Sequence, residues 1–146
     1  MKGFIVLITL IMLPTLILSQ SCIGKWITYD DHSGKQKSVV ELYKQKDRLY
    51  GKITYVFPAE GISQNTTCTA CKDDRKGKSI VGLEIIRDLK WDGTSWYNGS
   101  IMDPEIGKIY DVKIWLDDKN HDRLIVRGYV GLLFRTQYWK RLYIQK

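Results

Sequence analysis

The chain has 146 residues, a formal net charge of +7, three cysteines and two histidines. That length suits one domain with a sizeable core. Its basic residues are spread along the chain, with no basic patch or recognition motif of the kind a nucleic-acid binder shows.

The first residues read as a leader. Lys2 supplies a positive start, and residues 4–18 are apolar except for Thr9, Pro14 and Thr15. The unbroken part, 4–13, is too short for a bilayer, which takes about 20 apolar residues. Ser19 and Ser21 then offer the small residues that a signal peptidase accepts before its cut. Residues 1–21 are therefore expected to be a cleaved export signal, and 22–146 a single mature domain in the periplasm or outside the cell. Cys22 stands at the junction. A lipoprotein signal would place an aliphatic residue three positions before it, where Ser19 stands, so a lipid anchor at Cys22 is the less favoured reading. A basic mature surface suits anionic surroundings.

Eight runs rich in β-branched and aromatic residues follow: 25–29, 38–44, 49–57, 80–90, 96–102, 108–116, 124–130 and 134–144. Alternation is clear in KIYDVKIWL, where Tyr110, Val112, Ile114 and Leu116 share one face against Asp111 and Lys113. DDHSGKQ, WDGTS, DPEIGK and DDKNHD between the runs carry turn residues. Asp92–Gly93 is a hairpin signal. Within 80–90, Leu83, Ile86 and Leu89 are spaced as on a helix, which is the alternative there.

Eight such runs predict an all-β, eight-stranded, up-and-down antiparallel barrel. Closure removes sticky edges, and a barrel of this size holds packed side chains or one small ligand. The order of strands puts the longer connections, 30–37, 58–79 and 103–107, at one mouth. Tight hairpins at 46–47, 92–95 and 117–122 fall at the other end, with both chain ends. The connection 58–79 is long enough to suggest a functional cover or a mobile segment.

GKW, residues 24–26, resembles the Gly-x-Trp signature of lipocalin and calycin barrels. The resemblance implies that Trp26 pairs with an arginine of the last strand at the closed end, Arg141 or, as second choice, Arg135. GKWITYDDHSGKQKSVVELYKQKDRLYGKI, CTACKDDRKGKSIVGLEI, IMDPEIGKIY and RGYVG…RTQYWKR resemble, over about 24–141, an exported bacterial family catalogued as domain of unknown function 2147. That resemblance implies a lipocalin-like fold and leaves the activity open.

CTAC, at Cys68 and Cys71, lies in the long connection. A small disulfide in an oxidising compartment is the favoured reading over a redox or zinc site, since zinc needs further ligands and only His32 shares that mouth. Cys22, at the opposite end, lies too far away to join them. No metal or cofactor is expected. His32 and His121 fall in turns at opposite ends. Asp30, Asp31, Asp73, Asp74, Asp103 and Glu105 gather at the mouth, mostly as turn caps.

Arg135, Gln137, Trp139 and Arg141 share one face of the last strand. Either they reach inward to an anionic head group, or they form an outer row with their stems on the barrel. The candidate ligand contacts are Glu41, Tyr43, Arg127, Tyr129, Arg135 and Gln137. The leading function is that of a binding module for a small, partly apolar ligand such as a lipid or fatty acid. The rival is a structural or interaction barrel packed shut. An enzyme built on His32 and the mouth carboxylates lacks a nucleophile–base spacing. The sequence defines no oligomeric state and no stable membrane span.

Overall fold

The computed structural model describes residues 21–145. The leader expected at 1–21 thus lies almost wholly outside the described residues. The strands are β1 (Gly24–Tyr29), β2 (Gln36–Gln45), β3 (Arg48–Val56), β4 (Glu84–Trp91), β5 (Trp96–Asp103), β6 (Lys108–Asp117), β7 (Asn120–Val130) and β8 (Leu133–Leu142). Each pairs antiparallel with the next, and β1 pairs with β8 to close the barrel. Among the described residues no helix is long and apolar enough to cross a membrane.

Two stretches differ from the sequence reading. Residues 80–83 belong to the connection, and β4 starts at Glu84. The helix-like spacing of Ile86 and Leu89 has a local cause. Asp88 takes a positive φ of 65°, and the register against β3 shifts so that Ile86 meets Gly51 and Leu89 meets Leu49. A bulge adds one residue to a strand, so side chains three apart point to the same interior. The second difference is at β7, which begins at Asn120, paired with Asp117. The Asp117 carboxylate accepts the Lys119 N–H and the Arg123 guanidinium. This confines the turn to residues 118–119.

The closed half of the barrel is filled. Trp26, Leu42, Leu49, Ile86, Leu89, Ile114 and Leu124 have no accessible surface, and Trp96 and Trp139 are buried beside them. Gly51 makes room for this packing. A Cβ there would lie 2.8 Å from Leu42 Cδ2 and 3.0 Å from Ile86 Cδ1, so a larger residue would overpack the core.

The connection 57–83 folds into a packed cover rather than a loose segment. The Cys68 N–H donates to Lys78 O, Gly77 to Cys68 O, and Ile80 to Thr66 O. Its far end joins the barrel wall, with Ile53 donating to Leu83 O and Gly82 to Ile53 O. Cys68, Cys71, Ile80 and Leu83 are buried under it. The cover rests on the β5–β6 turn at Gly107, where φ is +69° and a Cβ would stand 2.0 Å from Ala70 O. Only glycine fits there.

Candidate functional site

Above the filled half, the barrel holds a cavity of about 960 Å³ that opens at the long-loop mouth. Its size is at the upper end of the range for small-molecule sites. Its apolar lining comes from Ile53, Val56, Ile85, Ile101, Met102 and Val126 of the strands and Ile62 and Ile80 of the cover. Asp103, Lys108 and Tyr110 join the lining from β5 and β6, and β1, β2 and β8 bring Thr28, Ser38, Arg135 and Gln137.

The last four are tied in two pairs. The Thr28 and Ser38 hydroxyls are 2.8 Å apart and buried, and the Ser38 N–H donates to Thr28 Oγ1. Gln137 Oε1 accepts from the Trp139 indole at 3.0 Å, and Gln137 Nε2 donates to Asp31 at 2.9 Å. Asp31 in turn lies 3.4 Å from the Arg135 guanidinium. Arg135 is therefore held at the rim by one flexible, solvent-exposed ion pair. Such a pair is worth little, so the guanidinium remains available to an incoming anion.

The candidate residues named from the sequence divide by strand alternation. Arg135 and Gln137 line the cavity. Glu41, Tyr43, Arg127 and Tyr129 lie on the outer face, which corrects the reading that placed them at a ligand. In β2 Val40 and Leu42 take the interior, and in β7 Leu124 and Val126 do, so the residues that alternate with them along each strand point out. Glu41 pairs with Lys52. The Tyr43 hydroxyl donates to Glu84 at 2.9 Å; burial and then this carboxylate push its pKa up to about 12. Arg127 lies between the rings of Trp115 and Phe134 and donates to Thr136. Tyr129 packs against Phe134.

Most mouth carboxylates have structural partners. Asp30 accepts the N–H groups of Ser33 and His32, Ser33 being the larger cause of its lowered pKa. Asp103 accepts the Glu105 N–H, and Glu105 pairs with Lys37. Asp74 binds Arg87 through both oxygens, which lowers its pKa to about 2. Asp73 clamps Arg75, whose hydrogen bonds lower the aspartate's pKa.

Arg75 was not foreseen from the sequence. It is only 2% exposed, and it reaches from the cover to Glu84 O at the start of β4. Within a cluster of turn residues nothing marks it as the one that turns inward. Thr28 was also missed, although it stands two residues beyond Trp26 and so shares its inward face by simple alternation.

Cys68 and Cys71 form a disulfide under the cover, close to Met102 and Pro104. Cys22 is free and buried at the far end. Burial pushes its thiol up to about 11, against a smaller opposing effect of Arg141.

A closed eight-stranded antiparallel barrel, with a cavity at one end and the Arg141 guanidinium over the Trp26 ring at the other, defines a lipocalin-like protein. The fold is similar to that of protein HP1028 from the human pathogen Helicobacter pylori, which belongs to the lipocalin family. The TM-score is 0.70 at 21% identity, over 84% of each chain. The chain itself belongs to the family described as "uncharacterized protein conserved in bacteria", domain of unknown function 2147, whose model matches residues 24–141. No curated protein matches it.

Proposed function

We propose that this protein is an exported bacterial binding protein, its mature domain running from residue 22 to 146, that carries one small, partly apolar ligand in the barrel. The observation that carries this reading is the open cavity of about 960 Å³, lined by aliphatic side chains and by polar and charged groups. A ligand with an acyl chain and an acidic head group suits that mixed lining. The chain would lie against Ile53, Ile85, Ile101 and Val126, and the head group would meet Arg135 and Gln137 at the rim. Burying an apolar chain contributes about 0.8 kcal/mol per methylene, and a guanidinium adds a directed, charge-assisted contact.

The rival reading, a barrel packed shut, describes only the closed half. Export is supported by the leader-like residues and by the Cys68–Cys71 disulfide, a bond that persists in oxidising compartments.

The test is titration of the mature protein with a fluorescent fatty acid, followed by displacement with unlabelled fatty acid. Saturable, displaceable binding at one site per chain is expected. Absence of saturation up to the probe's solubility limit would refute the carrier reading.

A further inference from the structure

The β7–β8 hairpin carries an apolar tip whose two leucines stand in solvent. Val130, Leu132, Leu133 and Phe134 surround Gly131, and Leu132, Leu133 and Phe134 are 99%, 77% and 61% exposed. A tight two-residue turn needs a residue of positive φ, which Gly131 supplies at 58°. It does not need two leucines. Turns facing water carry polar residues, as this chain's other turns do at DDHSG, WDGTS and DDKN.

The outer face behind the tip has a definite order. Tyr129 and Phe134 pair across the hairpin first, Arg127 and Thr136 pair behind them, and Lys113 of β6 pairs with Arg127. Trp115 and Tyr138 stand farther back on the same face. Arg127 lies 4.5 Å from the Phe134 ring centroid and 5.3 Å from that of Trp115, and Lys113 lies 5.6 Å from Trp115. Asp111, exposed, pairs with Tyr129 one row nearer the tip, and Lys140 lies beyond Tyr138 toward the closed end. Proceeding from the tip, the face presents aliphatic side chains, then the Tyr129–Phe134 pair beside Asp111, then the cations Arg127 and Lys113, with Trp115 and Tyr138 behind them.

The aliphatic tip, the first ring pair and the two cations behind it suit the layers of an anionic bilayer surface. Acyl chains accept aliphatic groups, the interface accepts Tyr and Trp, and phosphates accept Arg and Lys. Arg127 stands five residues behind Leu132, roughly 17 Å along the strand. Strand tilt and the forward reach of its side chain bring the charge nearer to the head groups. The tip also forms part of the cavity rim, where Val130, Leu133 and Phe134 join the lining.

The geometry points to the β7–β8 hairpin as a docking element that inserts Leu132 and Leu133 into the surface of a membrane containing anionic lipid, with Arg127 and Lys113 on the head groups. Docking turns the mouth of the cavity toward the lipid. The attachment is peripheral and reversible, because few side chains enter and the rest of the contact is electrostatic.

Vesicle flotation tests this without any cavity ligand, so its outcome is independent of whether the barrel carries one. The mature protein should float with vesicles containing phosphatidylglycerol and much less with pure phosphatidylcholine vesicles. Binding should fall as salt is raised, since exposed charges are screened. Leu132→Asp/Leu133→Asp should reduce binding at least tenfold while leaving the melting curve unchanged, because neither side chain contributes to the core. Arg127→Ala/Lys113→Ala should reduce it as well. Failure of the wild type to float would overturn the proposal, as would equal binding to both kinds of vesicle. A concentration-dependent dimer that the double-aspartate variant abolishes would also overturn it and assign the tip to contact between two copies of the chain.

Discussion

The guanidinium of Arg141 lies 4.2 Å from the centroid of the Trp26 indole, across the seam where β1 and β8 close the barrel. It also donates to the backbone oxygens of Ile23, Ser21 and His121. The indole N–H of Trp26 donates to Cys22 O at 2.9 Å. One stacked pair therefore gathers the residues just before β1, the start of β7 and the last strand. Trp26→Ala removes a fully buried aromatic and should destabilise the fold by about 3–5 kcal/mol. Arg141→Met should cost less, about 1–3 kcal/mol, for the lost cation–π contact and hydrogen bonds. Urea unfolding measures both, and a near-native unfolding curve for Trp26→Ala would contradict the packing role. Under conditions where Trp26→Ala remains folded, its fatty-acid affinity should be that of the wild type.

Arg135 and Arg127 are a matched pair for the ligand. The first lies on the cavity rim and the second on the outer face. If a carboxylate meets Arg135, Arg135→Ala should lose about 1.5–3 kcal/mol of binding, or roughly ten- to hundredfold in affinity. Arg127→Ala should bind the probe as the wild type does. Displacement titrations of the two variants check this, and equal affinities would remove the head-group role of Arg135.

The cover offers a test by thiol counting. The unfolded, non-reduced chain should yield one free thiol, from Cys22, and full reduction should yield three. Replacing Cys68 and Cys71 by serine frees only a very short loop. Chain-entropy arguments put the loss at about 2 kcal/mol. Its local effect should be faster amide exchange at Cys68 and Gly77, whose N–H groups hold the cover together. Uniform exchange across the whole barrel would contradict this.

Cys22 should make stability fall in alkali. Burial raises its thiol from 9.0 to about 11, so the folded chain keeps a proton that the unfolded chain loses first. The contribution is complete below the ordinary thiol value and is lost as pH rises from about 9 through about 11. It amounts to at most about 2–3 kcal/mol. Cys22→Ala should lack this part of the decline. The decline arising from Tyr43, raised to about 12 by burial and its bond to Glu84, should persist. Melting temperatures of both proteins across that range decide the point.

Strand number, strand order and the location of the long loops were legible in the sequence. Period-two alternation and turn chemistry act over a few residues, and an up-and-down barrel adds only nearest-neighbour pairing. The Trp26–Arg141 pair was implied by the resemblance of GKW to the lipocalin signature, and closure of the barrel brings the two residues together across the seam. The inward row Arg135, Gln137, Trp139 was legible as a row, because alternation groups its members.

Which face that row presents was decided by tertiary structure. Alternation assigns residues to two sides and does not say which is the inside, so Glu41, Tyr43, Arg127 and Tyr129 were placed at the ligand when their neighbours Val40, Leu42 and Val126 take the interior. The bulge at Asp88 restored an inward face to residues spaced as on a helix, a local distortion that no periodicity anticipates. Arg75 is buried because Asp73 and Glu84 O receive it from two different elements, and the cavity exists because the cover 57–83 spans the mouth without filling it. The sequence by itself therefore determined the order and closure of the strands, which depend on short-range pattern. The inside of the barrel, the packed cover and the cavity depend on contacts between distant segments and became definite only in three dimensions.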